Sequence, residues 1–340
     1  MLKQVSKIFT KTTNYVVRYA IRNKSSKVLF PLQRGGMRVE GPEAPDFLQG
    51  LITNDMDHFD EGARSIYAMF LNTKGRVILD ALIHKWREPN YFIIECDKEV
   101  LGTLHAHLSI YKLRRDVKLQ KLPDFQTWVI YGDDSNTVPK SSIQEVKDDE
   151  IQYFNDPRLE GLGIRVLSLT ASKSLPEVIT TLSTFANITS VSNEEAYRTK
   201  RYSLGVAEGA ADIPPGTCFP LEINCDYLHG VSFHKGCYIG QEVTARIHHT
   251  GVVRKRLLPL KFAGSIYGDV KPNCVIRTQS NLNIGKLRGY SNGWGIGLMK
   301  MKEACEAREL LVEHNTVQVF KPDWWPIEAP KEKIKPPSDQ

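Results

Sequence analysis

The chain has 340 residues, 41% of them hydrophobic and 25% charged, a composition that excludes disordered, collagen-like and disulfide-scaffold classes. Six cysteines are too sparse to staple an extracellular fold, and no apolar run approaches the ~18 residues of a membrane span. The net charge of +6 is unevenly placed. Residues 1–39 carry nine bases and no acid, leaving 36 bases against 39 acids in the remainder, so composition implies no nucleic-acid-binding body.

On a helical wheel Lys3, Lys7, Lys11, Arg18 and Arg22 fall within about 100° of arc, with Leu2, Val5, Phe9, Val16 and Ala20 opposite. A basic, acid-free amphipathic start is what a mitochondrial presequence requires; a surface helix or a basic arm is the other reading. The presequence is expected over 1–27, with cleavage near 24–27 and the matrix as destination. Structural disulfides are not expected there.

The body follows in order. A loop with a short helix over 45–50 leads to a turn at Thr53-Asn54-Asp55. Strands over 67–71 and 77–86, joined by Thr73-Lys74-Gly75, read as a hairpin, and a third strand covers 91–96. Val100, Leu101, Leu104, Leu108 and Tyr111 recur at helical spacing and predict a helix over 98–113. Strands over 128–131 and 163–169 flank a polar, exposed excursion at 133–149. A helix is expected over 175–185. A second, opened by a capping box of Ser192 with Glu195, runs to Arg201. Residues 203–235, with Pro214, Pro215 and Pro220, read as a long connection of the kind that is usually functional. A helix over 241–248 stops at Gly251. Beyond it, short strands at 257–262, 274–278, 285–290, 295–299, 309–313 and 316–320 predict a separate small β-barrel or sandwich. The expected division is 28–250, a barrel over 251–326, and a disordered tail over 327–340.

Chemistry concentrates at 235–242. Gly236 and Gly240 bracket Cys237 just before a helix, and let the backbone turn and admit a ligand or partner. The helix start and Lys235 would both favour a thiolate there. That thiolate would be a nucleophile or a soft-metal ligand; a buried, inert cysteine is the other reading. No Cys-x-x-Cys pair exists, and Cys218, Cys225 and Cys237 with His229 and His234 match no closed-site spacing. A self-contained metal centre is therefore not expected, whereas a cluster shared with a second protein is open. Glycines in 293–297 read as a strand edge under close packing. Arg254-Lys255-Arg256 reads as a solvated strand start, His248-His249 as a helix end that favours its dipole. Trp324-Trp325 reads as a core plug or a rigid contact surface.

The signature Pro220-Leu221-Glu222 with 233–242 resembles that of the folate-binding-like (YgfZ-type) iron–sulfur assembly proteins. These are related to the glycine-cleavage aminomethyltransferase. Phe47-Leu48-Gln49-Gly50, Thr53-Asn54-Asp55, Phe70-Leu71-Asn72, Lys74-Gly75-Arg76 with Asp80, Asp156-Pro157-Arg158 and 201–205 also fit, in order, over about 30–300. With its presequence the chain resembles the mitochondrial branch that acts with A-type carrier proteins on [4Fe-4S] clusters.

The resemblance implies an α+β fold of three modules in a ring: two interlocked subdomains, one ferredoxin-like, then a C-terminal β-barrel. It implies a chain that is monomeric alone and pairs with A-type carriers. Cys237 would share a [2Fe-2S] cluster with the carrier, and Lys235 would supply positive charge to it. Gly236, Tyr238 and Gly240 would shape the loop, and Gln241 and Glu242 would hold it to the helix start. Arg246 would pair with Glu242 or touch the partner. The resemblance also implies a central cavity able to accept tetrahydrofolate, with Asn54, Asp80 and Arg201 on it.

Two departures weigh against aminomethyl transfer. The first of the enzyme's paired acids is replaced by Leu79, with Asp80 kept, and the acid of its Arg-Leu-Glu-Ala-Gly motif is replaced by Ser203. A folate-dependent one-carbon transferase and a thiol enzyme using Cys237 with His234 or His229 as base stand as the alternatives to an assembly factor.

Overall fold

A computed structural model describes residues 27–132, 151–170, 175–182, 188–307 and 309–326. The expected presequence before Lys27, the excursion at 133–149 and the tail at 327–340 lie outside the described residues. The fold is mixed α+β, as expected, with two five-stranded sheets and a closed six-stranded barrel.

The first sheet has the order β3 (Ser65–Leu71), β4 (Val77–Lys85), β5 (Tyr91–Asp97), β2 (Arg34–Glu40), β6 (Lys118–Leu122). The expected hairpin is β3–β4. Helix α1 (Ala44–Gln49) precedes it, and helix α2 (Leu101–Lys112) buries Leu104 and Leu108 in the same core as Met37, Val39 and Ile94. The loop expected from residue 35 is instead an interior strand: β2 pairs with β5 on one side and β6 on the other. Gly35-Gly36 disguises it. A Cβ on Gly36 would fall 2.5 Å from the Phe125 ring, so the missing side chain is a packing requirement.

The second sheet runs β10 (Ile188–Val191), β1 (Lys27–Leu32), β7 (Gln126–Gly132), β9 (Ile164–Ser168), β8 (Ile151–Asn155). Lys27, the last residue of the expected presequence, opens β1. Helix α3 (Leu175–Leu182) packs Val178 and Leu182 on this sheet. Helix α4 (Glu194–Ser203) is capped by Asn193, whose side chain accepts from the Ala196 amide, and not by Ser192 as the capping pattern suggested.

Residues 203–235 are neither structureless nor peripheral. They hold α5 (Gly209–Asp212) and a 3₁₀ turn (Pro220–Ile223). Val206, Ile213, Cys218, Ile223, Cys225 and Leu228 are buried with strand residues of the first sheet and of the barrel. The chain then enters α6 (Gln241–Thr250), which ends on left-handed Gly251.

The barrel closes as β11 (Lys255–Phe262), β14 (Trp294–Lys300), β13 (Asn283–Ser291), β12 (Val275–Thr278), β15 (Leu310–Val312), β16 (Asn315–Val319), with α7 (Met301–Glu306) after β14. Gly295 and Gly297 lie inside β14, not on an edge, where the Phe262 and Ile276 side chains fill the space a Cβ would take. Trp325 plugs this module: it is 7% exposed and meets the Tyr227 ring edge-on at 5.4 Å. Trp324 Nε1 donates to Leu204 O at 2.8 Å, which ties the plug to the connection. Arg256, expected to be solvated, is buried and forked onto Asp226 at 2.8 Å twice.

Charged groups join the two sheets. Arg165 (β9) donates to Glu95 (β5) at 2.7 Å, and Arg34 (β2) to the same oxygen at 3.1 Å. Arg158 forks onto Asp156 and reaches Glu208 at 2.6 Å, and Arg165 donates to the same Glu208 oxygen. His84 (β4) reaches Glu95 at 3.1 Å. Arg158, Arg165 and Glu95 are 1% exposed or less. Charges so buried persist only when paired with opposite charges.

Candidate functional site

The site grows from the turn after α1. Thr53 Oγ1 donates to Gly230 O at 2.6 Å and accepts from the Met69 amide at 2.9 Å. The Ser232 amide donates to Thr53 O at 3.0 Å. Asn54 Nδ2 donates to Tyr67 O at 2.7 Å and to His229 O at 2.8 Å. The turn and the signature loop are thus one hydrogen-bonded unit, although some 175 residues separate Asn54 from His229.

Lys235 is the pin. Its Nζ donates to Gln49 O at 2.7 Å, Ile52 O at 2.8 Å and Asn54 O at 2.5 Å. An ammonium has three protons, so each is used. Lys235 has a structural part the sequence did not suggest: it ties the signature loop to main-chain carbonyls at the end of α1 and in the turn that follows it. Burial pushes its pKa down to about 8, against the pull of Asp55 and Asp57. Lys235→Met should leave three carbonyls unmet and cost about 2–4 kcal/mol. Urea unfolding measures this, and Cys237 alkylation should accelerate in parallel as the loop loosens.

The two glycines differ. Gly240 is left-handed at φ 78°, and a Cβ there would lie 2.4 Å from Asn72 O and 3.1 Å from Gly75 Cα. It lets the β3–β4 turn pack under the start of α6. Gly236 has an ordinary φ and nothing within 4 Å of an added Cβ; the space is open to a partner. Gly240→Ala should therefore cost several kcal/mol, on the scale of other backbone clashes. Gly236→Ala should leave stability within about 0.5 kcal/mol and weaken partner binding alone. Thermal unfolding beside a binding titration separates the two.

Cys237 lies exposed between these glycines. Tyr238 is buried beneath it with its ring 5.0 Å from Lys235 Nζ, and burial raises its pKa. The Tyr238 amide donates to Gln241 Oε1 at 3.3 Å, so Gln241 holds the loop to the helix. Glu242 and Arg246 are both exposed, and among the described residues no hydrogen bond or ion pair joins them. Sequence reasoning missed the Phe233–His248 stack, with centroids 3.5 Å apart and planes at 11°. It closes the loop's entry onto the end of α6.

The other two cysteines of the connection, Cys218 and Cys225, are buried. Burial pushes the Cys218 thiol up to about 12 and the Cys225 thiol well above its usual range. Cys305, on α7, is the second exposed cysteine. Among the described residues no three His, Cys, Asp or Glu side chains converge as a metal site.

The residues expected at a folate cavity are engaged with the protein itself. Arg201 donates to Val206 O at 3.1 Å and Asp212 at 2.8 Å. Asp80 accepts from the Gly209 amide at 3.0 Å, and its second oxygen is buried without a partner. Asn54, Asp80 and Arg201 are 5% exposed or less. Two cavities among the described residues, of about 720 and 390 Å³, are lined by other side chains. Arg201 Nε, like the second Asp80 oxygen, is buried without a partner among the described residues.

Residues 32–172 match the family described as the GCVT N-terminal domain, and 254–327 the CAF17 C-terminal beta-barrel domain. The chain is 34% identical over 313 residues to the mouse (Mus musculus) protein named "Iron-sulfur cluster assembly factor IBA57, mitochondrial", covering 87% of this chain and 84% of that one. The Homo sapiens protein of the same name is 34% identical over 304 residues, covering 85% and 83%. Among solved structures, the glycine cleavage system aminomethyltransferase T from Bartonella henselae superposes with a TM-score of 0.67 over 89% of this chain and 88% of that one. At 13% identity, that similarity concerns the fold.

Proposed function

Because the chain belongs to the IBA57 family of mitochondrial iron–sulfur cluster assembly factors, we propose that it serves [4Fe-4S] maturation in the mitochondrial matrix by giving one thiolate, Cys237, to a [2Fe-2S] cluster held jointly with an A-type carrier. The cluster is cargo. Each [2Fe-2S] unit needs four protein ligands, and the carrier would supply the others. The observation behind this reading is the contrast within one segment: Cys218 and Cys225 are buried, while Cys237 is exposed on a loop fixed by Lys235, Gln241 and Gly240. A ligand presented rigidly needs no ordering when the partner docks.

The opposing reading, a folate-dependent transferase, is not favoured by Asn54, Asp80 and Arg201 as arranged. The test mixes the chain with an A-type carrier loaded with a [2Fe-2S] cluster and follows visible circular dichroism and size-exclusion elution. A changed cluster spectrum in a heteromeric peak is the expected result. A cluster that stays on the carrier alone would overturn the reading.

A further inference from the structure

Lys235 is held in place by carbonyls, and further bases lie along the helix that follows Cys237. Helix α6 runs about 15 Å at 1.5 Å per residue, starting four residues after Cys237. The β3–β4 turn lies under its first residue, with Gly75 packed on Gly240 and Val243, and carries Lys74 and Arg76. Exposed Arg246 stands midway. Arg254 and Lys255 follow just past its end. None of these five bases forms an ion pair among the described residues. Arg76 lies over the Phe219 ring and donates to Thr217 O.

Against them α6 exposes one carboxylate, Glu242. The acids of the connection beneath are engaged, Asp226 with Arg256 and Glu222 with the Phe219 amide. Val252, 59% exposed, adds an apolar point at the helix end. This strip belongs to a chain whose residues 40–340 hold more acids than bases. Unpaired like charges repel and cost stability, so five distributed at the start, middle and end of α6, in the segment that follows one exposed thiol, call for an anionic counterpart.

We infer that this strip along α6 is a docking face for an acidic protein surface, and that the partner sharing the cluster at Cys237 presents that surface. The inference rests on the reading of Cys237 given above and names the chemistry of its partner. Charges at such a rim act mainly on encounter, raising the association rate and screened by salt.

Stopped-flow mixing with a [2Fe-2S]-loaded A-type carrier tests it. From about 50 to 300 mM NaCl the association rate should fall about tenfold, with dissociation little changed. The double reversal K74E/R246E should slow association about tenfold at low salt. K112E/R114E, at the end of α2, which packs toward the β2–β6 edge of the first sheet and away from the β3–β4 turn, should match the native chain and controls for net charge. Association that ignores salt, or a K74E/R246E variant no slower than K112E/R114E, overturns the inference and leaves the shared-cluster reading standing. Absence of a complex with the native chain at every salt concentration overturns both.

Discussion

Cys237→Ser should abolish the cluster-bridged complex and leave the melting temperature within about 2 °C of the native chain. The Cys237 side chain is exposed, and serine keeps its size, so the change falls in the class of neutral surface substitutions. The chemistry does not survive, because an exposed cysteine can supply a thiolate, whereas serine offers a hydroxyl that is a poor ligand for the soft-ligand preference of iron–sulfur clusters. The heteromeric peak and its visible dichroism should vanish together, while far-ultraviolet dichroism is unchanged. Cys305→Ser, at the other exposed cysteine, should behave as native. A Cys237→Ser chain that still shifts the cluster spectrum would remove the thiolate from the mechanism.

Glu208→Gln should produce the largest loss of stability, about 3–5 kcal/mol, or roughly 10 °C in melting temperature. One Glu208 oxygen receives both Arg158 and Arg165, and the other lies 3.8 Å from Arg34. Burial alone would raise the Glu208 pKa; Arg165, Arg158 and Arg34 overcome it and hold the carboxyl well below its usual range. Glutamine keeps the shape and removes the charge, leaving three buried guanidiniums to Glu95, Asp156 and Asp80, whose own pKa is raised by burial.

The same network sets the response to acid. Burial works to raise the Glu95 pKa, but Arg165, His84 and Arg34 bring it down to about 2, from an ordinary 4.5. Between those values the unfolded chain binds the proton and the folded chain does not. The stabilisation is therefore complete above pH 4.5 and is lost as pH falls toward 2. His84, lowered by burial from 6.5, acts in the same direction and starts the decline earlier. Asp80 acts oppositely, since its raised pKa lets the folded state keep a proton longer. Glu95, Glu208, Asp156 and His84 outnumber it, so urea midpoints should fall from pH 7 through 5.5 to 4. The fall should be shallower in Glu208→Gln, which has one such carboxyl fewer.

How much of this was legible depended on the range of the interactions. The β3–β4 hairpin, the stripe of α2, the stop of α6 at Gly251 and the strand rhythm of the barrel are local patterns, and each is where the sequence placed it. Strand β2 was hidden because Gly35-Gly36 and Arg34 break the apolar alternation. Strand β6 was hidden because Lys118 and Lys121 mark an edge, as solvated charges do in a loop. Cys237 could be found from its flanking glycines. The part played by Lys235 could not, because its partners are main-chain oxygens far away in the sequence. Nor could the network: Arg158 and Arg165 look like surface arginines until Glu208, 50 and 43 residues on, is brought between them.

Strand β1 has a consequence for how such a molecule comes into being. It sits inside the second sheet, with Lys27 opposite both Gly132 and Ile188, while the next strand, β2, belongs to the first sheet. Residues 27–32 therefore cannot settle until residues as distant as Val191 have been delivered. Loop closure of that span is slow compared with hairpin formation. A chain threaded end-first through a narrow translocation channel would stay extended behind its leading end, and premature collapse on the wrong side would be discouraged by topology alone. The same crossing means that neither sheet can be excised as an autonomous fragment: a cut between β1 and β2 takes an interior strand from one sheet and leaves the other without its link.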